Sequence, residues 1–175
     1  MENLDKIFSA LNKLSYGLYI VSSAFDGKKN GQLANTVFQI TPNPPKIAIA
    51  LNKGNLTHEM VDKSGLFSVS VLEEETPLTF IGLFGFKSGR DIDKFEKVSH
   101  QMDGDCPIVI ENALSCLKAK VVAKMDAGSH TLFMGEIISG QILKNGTALT
   151  YDFYQKNKKG KTHKNATTFN KITEK

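Results

Sequence analysis

Short apolar runs alternate with polar punctuation along this chain, and the spacing within each run sets the element it predicts. Leu4, Ile7, Phe8, Leu11 and Leu14 fall at helical spacing and predict a short amphipathic helix. Leu18 to Ser23 predicts a strand, and the segment Phe25 to Asn30, with Asp26-Gly27, predicts an exposed hairpin connection. From Asn30 to Met60 the expected order is a turn at Asn30-Gly31, a strand through Val37, Phe38 and Ile40, and a corner stiffened by Pro42, Pro44 and Pro45. A second strand then runs from Ile47 to Leu51. That second run is apolar without alternation, which predicts burial on both faces. Asn55 stands where a helix N-cap belongs, with Leu56 and Thr57 as first helical residues, Met60 and Val61 facing inward, and Ser64-Gly65 at the C-cap.

Downstream, Phe67, Val69 and Val71 alternate with Ser68 and Ser70 in a strand from Leu66 to Leu72. Thr76-Pro77 starts a helix through Leu78 to Leu83. Beyond Pro107 the pattern gives strands at Ile108 to Ile110, Leu114 to Lys124 and His130 to Leu143, with Asp126-Ala127-Gly128-Ser129 as a hairpin turn. Leu117, Ala119, Val121 and Ala123 alternate with lysines, so one face of the middle strand is expected to be wet. The sum is a mainly β chain with a few short helices.

Composition narrows this further. With 175 residues and 41% hydrophobic content, the chain can bury one core, so a single domain over 1–175 is expected. Within it, about 1–14 form the N-terminal helix and about 155–175 a basic C-terminal extension. No apolar run reaches the roughly 18 residues that span a bilayer, and MENLDKIF has no signal-peptide core, which predicts a cytoplasmic protein with no membrane partner. Cys106 and Cys116 form no CxxC pair and are expected as reduced thiols. The four histidines show no metal-ligand spacing, so no metal site is expected. A net charge of +4 and a pI near 9.0 raise nucleic acid as a partner. The excess, however, is concentrated in Lys156 to Lys164, and no RNP-like aromatic run accompanies it, so none is expected. That lysine stretch reads either as a solvated tail or as a segment held down by Tyr151, Phe153, Tyr154 and Phe169 around it.

Three places carry candidate chemistry. In Asn52-Lys53-Gly54-Asn55-Leu56-Thr57-His58 a cation, a tight turn and a helix start come together. Lys53, the Thr57 hydroxyl and the unpaired backbone donors there either hold a phosphate monoester or merely begin a helix. The loop FGFKSGRDIDKF, Phe84 to Phe95, has glycines that allow close backbone approach to a flat or charged ligand, or it is a salt-bridged surface turn. His130, at a strand start, is either structural or placed for chemistry.

Six segments resemble the flavin reductase-like proteins, which are FMN-binding split β-barrels, and within them the flavin reductase domain of high-molecular-weight rubredoxins. They are LSYGLYIVSS, NGQLANTVFQIT, PPKIAIALNKGNLTHEMV, FGFKSGRDIDKF, SHTLFMGEI and LTYDFY, in family order over almost the whole chain. The resemblance implies a mainly β split barrel with peripheral α-helices, working as a homodimer with FMN at or near the subunit interface. It implies that Asn35, Thr36, Val37 and Thr41 lie on the flavin side of their strand, with Asn35 and Thr36 at the pyrimidine edge of the ring. Asn52, Lys53, Asn55 and Thr57 would hold the phosphate, Ser88 and Gly89 would touch the flavin, and Lys94 and Phe95 would form its rim or the nicotinamide side. Gly-x-His-Thr at the hairpin implies His130 as the catalytic group near the nicotinamide, and Tyr151 and Tyr154 either close the site or fill an interface. The tail departs from the family pattern, with His163 and Thr167 where prolines are expected.

The implied activity is hydride transfer from NADH or NADPH to FMN, with electrons passing to free flavin, a rubredoxin-type protein or ferric iron. A rubredoxin iron site takes four thiolates, so such an acceptor would be a separate protein. No G-x-G-x-x-G follows a strand, so nicotinamide binding is expected to be shallow. The alternative within this reading is an FMN-binding electron carrier that never oxidises NAD(P)H directly.

Overall fold

The computed structural model describes residues 2–169. In chain order these form α1 (Glu2–Leu11), β1 (Tyr19–Phe25), β2 (Lys28–Ala34), β3 (Val37–Pro42), β4 (Pro45–Asn52), α2 (Leu56–Ser64), β5 (Leu66–Leu72) and α3 (Leu78–Phe86). There follow β6 (His100–Asp103), β7 (Cys106–Val109), β8 (Ala113–Ala127), β9 (His130–Ile142) and α4 (Tyr151–Lys156). Seven strands make one antiparallel sheet in the order β2-β1-β5-β8-β9-β4-β3, and β6 pairs with β7 in a separate ribbon. This is the mainly β, split-barrel architecture with peripheral helices that the sequence resemblance implied.

The first hairpin turns at Asp26 and Gly27, both at positive φ (53° and 69°), the two-residue geometry that matches strand twist. Asn30-Gly31, expected as a turn, instead lies inside β2, opposite Ser23 and Ser22. The earlier Asp-Gly pair has already reversed the chain. Gly31 is needed there for closeness, since a Cβ would meet Ser22 Oγ at 2.8 Å and Phe84 at 3.1 Å.

The two faces of the sheet bury separate cores. Val21, Ile47, Ile49, Leu51, Val61, Phe67, Val69, Ala119 and Phe133 fill the space enclosed by the strands and α2. On the opposite face, Leu18, Ile20, Leu72, Phe80, Ile81, Phe84, Phe95 and Val109 pack α3, β7 and α4 onto β1 and β5. Both faces of β4 are covered, as its unbroken apolar run required. Ser68 and Ser70, polar in sequence, are fully buried, because β7 lies over them and their hydroxyls donate to the Pro107 and Val109 carbonyls at 2.6 Å each. Cys106 and Cys116 are buried free thiols, and burial pushes the Cys106 thiol up to about 11.

α2 begins at Asn55 and ends at Gly65 in the left-handed conformation, as read from sequence. α1 forms too, but among the described residues nothing covers its stripe: Leu4, Ile7, Leu11 and Leu14 stay 47 to 57% exposed. Among the described residues, no helix is long and apolar enough to cross a membrane.

Candidate functional site

β2 and its exit, the β4–α2 turn, the loop after α3 and the chain beyond α4 converge on one cleft with about 1060 Å³ of open space, part of it solvent at the mouth. Asn30, Gln32 and Asn35 come from β2 and its exit, and Asn52, Gly54, Asn55 and Thr57 from the turn into α2. Ser88, Gly89 and Lys94 come from the loop, and residues 161–163 and 165–167 from the tail. Leu33, Ala34, Ala50, Phe86 and Tyr154 add apolar wall. Such a mixture, apolar surface with convergent amide and hydroxyl groups, suits a flat heterocycle bearing polar edges.

The polar groups are cross-braced. Asn30 Nδ2 donates to the hydroxyl of Thr57 at 2.9 Å, and both residues are buried. Asn55 caps α2 by position only. Its side chain donates to Gln32 Oε1 (3.1 Å) and accepts from Asn165 Nδ2 (2.8 Å), so the first turn of the helix has no side-chain cap. Gly89 packs so tightly on Asn30 that a Cβ would lie 2.1 Å from Asn30 Oδ1. The loop is tied to α2 by Arg90, whose guanidinium donates to Glu59 at 3.0 Å.

Lys94 is 4% exposed and carries no carboxylate partner among the described residues. Its ammonium donates to the carbonyls of Gly31 (2.9 Å) and Phe84 (3.4 Å) and lies 5.8 Å from the centre of the Phe84 ring, which among the described residues leaves one of three N–H groups without an oxygen acceptor. Burial lowers its pKa from 10.5 to about 8.

The tail forms the remaining wall. Tyr154 donates to the Lys161 carbonyl at 2.8 Å, Tyr151 and Thr162 share a hydrogen bond, and Asn35 Nδ2 donates to Thr168 Oγ1 at 2.9 Å. His163 accepts the Asn165 backbone N–H on Nδ1 at 3.1 Å, so the neutral ring keeps its proton on Nε2. Burial, then the charges of Lys164 and Lys94, lower its pKa. The tail that carries the lysine-rich stretch is thus held against the barrel as far as Thr168, while residues 170–175 of the expected extension lie outside the described residues.

Of the residues singled out from sequence, Asn35, Asn52, Asn55, Thr57, Ser88, Gly89 and Lys94 meet on this cleft. Several others do not. Lys53 points away, its ammonium 2.7 Å from Asp126 at the surface, because that carboxylate sits at the end of the neighbouring hairpin. Thr36 turns its hydroxyl to Asn35 Oδ1 (3.3 Å), Val37 packs on the barrel core, and Thr41 donates to the Pro44 carbonyl in the β3–β4 turn. Phe95 is core, edge-on to Phe84 and His100. His130 is off the cleft wall. Its Nε2 donates to the Asn165 carbonyl at 3.2 Å while Nδ1 accepts from Ser129 at 2.9 Å, so its reach to the cleft passes through the tail. Asn30, Gln32, His163 and Asn165 line the cleft without having been singled out as ligands, since no local spacing links the tail to β2.

A family model for the flavin reductase like domain matches residues 11–160. The chain belongs to that family. Two relatives of this flavin reductase-like protein are close in sequence. A ferric-chelate reductase (NAD(P)H) of Archaeoglobus fulgidus is 49% identical over 161 residues, covering 91% of this chain and 95% of that one. A high molecular weight rubredoxin of Moorella thermoacetica is 45% identical over 161 residues, covering 91% and 70%. Among solved structures, an NADH:FAD oxidoreductase of Streptomyces globisporus superposes with a TM-score of 0.76 over 85% of this chain and 88% of that one. At 20% identity this likeness concerns the fold.

Proposed function

We propose that this chain is an NAD(P)H:flavin oxidoreductase that binds FMN in the cleft, takes a hydride from NADH or NADPH, and passes the electrons to an acceptor. The observation that carries this reading is the cleft's composition: a buried cation with no carboxylate partner among the described residues, a glycine at close approach, Gly89, and amide side chains on both walls. When bound, the flavin supplies a ring that accepts a hydride and gives up electrons. Asn35, Asn52 and Asn55 would meet its polar ring edges. Thr57, Ser88, Gly89 and Lys94 would hold its charged end, and Leu33, Ala34 and Phe86 would exclude water. His130 acts as a positioning residue, holding Asn165 of the tail against the site.

A nicotinamide would reach the flavin through the mouth of the cleft, and alignment of the two is the main requirement for hydride transfer. The named relatives favour ferric iron or a rubredoxin-type iron protein as acceptor over free flavin, because one is a ferric-chelate reductase and the other a rubredoxin. We further read the chain as one domain over its length and as a cytoplasmic homodimer; the bare stripe on α1 and exposed Phe38 and Ile40 on β3 support the dimer. Light scattering of the purified protein tests the dimer.

The decisive experiment is the absorbance spectrum of purified protein, reconstituted with FMN, before and after anaerobic NADH or NADPH. Bleaching of the visible absorbance of oxidised flavin is the expected result and names the donor. A protein that takes up no FMN overturns the reading. One that binds FMN but is reduced by neither nucleotide is an electron carrier instead.

A further inference from the structure

We propose that the lysines of the segment after α4, with Lys87 at the end of α3, form a docking face at the mouth of the cleft for an acidic iron protein that takes the electrons. This deepens the reading above and rests on it.

Charge is not spread evenly over the chain. Residues 1–150 carry 15 lysines and arginines against 16 acids, whereas residues 151–169 carry five lysines against one acid, so the basic excess belongs to the tail. On the barrel, surface cations answer acids, as in Lys53 with Asp126, Arg90 with Glu59 and Lys124 with Asp62. In the tail, Lys156 answers Asp152, but Lys159, Lys161 and Lys164 are exposed with no carboxylate partner among the described residues.

The backbone that bears these lysines is fixed, so their field has a direction that a frayed tail would lack. Gly160 N–H donates to the Tyr154 carbonyl at 3.0 Å, Ala166 N–H to the His163 carbonyl at 2.8 Å, and Asn165 is bonded to Asn55 on the barrel. Lys161 lines the cleft, and Lys164 stands between the lining residues His163 and Asn165. The His163 ring meets Phe86 edge-on at 5.8 Å, which brings Lys87, next along from Phe86, to the same mouth. No aspartate or glutamate among the described residues lines the cleft.

Phe86 stays 43% exposed beside these cations. An aromatic ring flanked by charge is the makeup of a protein interface, with an apolar anchor and a polar rim. A small hydrophilic anion would use the lysines and leave the ring idle. An acidic protein surface meets several lysines at once and gains association rate from their field. Docked there, it stands at the opening through which electrons leave. The two electrons of one hydride reduce two ferric centres to ferrous, one in each of two partner molecules, and a proton is released to water.

The test is a calorimetric titration with a strongly acidic, zinc-substituted rubredoxin, at about 20 mM and about 500 mM salt. It compares wild type with Lys159→Glu/Lys164→Glu, two positions off the cleft lining. We expect wild type to bind at low salt and at least tenfold more weakly at high salt. The variant should bind at least tenfold more weakly than wild type at low salt, with the difference gone at high salt. In stopped flow with FMN-loaded protein, the variant should be reduced by NADH or NADPH within twofold of wild type and reoxidised by benzoquinone within twofold. Its reoxidation by the iron form of the same rubredoxin should slow at least tenfold. Rubredoxin binding that ignores both salt and the variant, or is absent in wild type, would overturn the inference. Slower reduction by the nucleotide would give these lysines to the donor's phosphates and overturn it too, as would equal slowing with benzoquinone. If the protein takes up no FMN, the functional reading falls and the inference with it. If FMN is bound and reduced but rubredoxin binding is indifferent to charge, only the inference falls.

Discussion

The buried ammonium of Lys94 makes the stability of the flavin-free protein depend on pH in a direction opposite to that of a salt-bridged lysine. Its pKa is 10.5 when solvated and about 8 in the fold, lowered by burial. Below pH 8 both states carry the proton, and the folded state bears the full penalty. Between 8 and 10.5 the unfolded chain binds more protons than the folded one, so stability rises with pH, and above 10.5 the penalty is gone. A displacement of that size corresponds to about 3 kcal/mol at neutral pH, a large fraction of the roughly 5–15 kcal/mol that separates folded from unfolded domains. The assay is urea unfolding of wild type and Lys94→Met from pH 7 to 10. Losing the ammonium also frees the Gly31 and Phe84 carbonyls, so absolute stabilities are not the comparison; the slopes are. Half-buried Tyr19 and buried Tyr154, whose pKa values burial raises, oppose folding at alkaline pH equally in both proteins and cancel. Wild type should gain about 2–3 kcal/mol on the variant as pH climbs from 7 to 10. Parallel curves would refute the claim that a charged Lys94 is buried without a counter-ion.

Other consequences are more local. Gly89→Ala drives a Cβ into Asn30 and should break the Asn30–Thr57 hydrogen bond, costing about 1–3 kcal/mol in thermal unfolding and weakening FMN in a titration. His130→Ala removes the hold on Asn165, so trypsin should cut at Lys158, Lys159 and Lys161 faster than in wild type, and stopped-flow hydride transfer should fall more than FMN retention does. Ending the chain at Asn157 strips the wall formed by residues 161–167 and uncovers Tyr154, and FMN should bind at least tenfold more weakly by fluorescence. Unchanged affinity there would mean that the tail plays no part in the site.

What the sequence determined by itself was most of the elements, because their signals are local; β2, read as a loop and turn, and β6 and α4 were not among them. The alternation in Leu66–Leu72, the unbroken run in Pro45–Asn52 and the Asn55 to Gly65 helix each follow from neighbours within a few residues. Motif order carried the family as well, and with it seven cleft residues. Direction of side chains was not local. Lys53 and Lys94 are equally cationic on paper, yet Asp126, 73 positions away, claims one, while β2 and α3 enclose the other. His130 and Asn35 face a tail whose contacts span 35 and 133 positions. Only tertiary structure decided those partners, because a hydrogen bond or a desolvated charge is fixed by what the fold brings within about 3 Å, and no spacing along the chain encodes that distance.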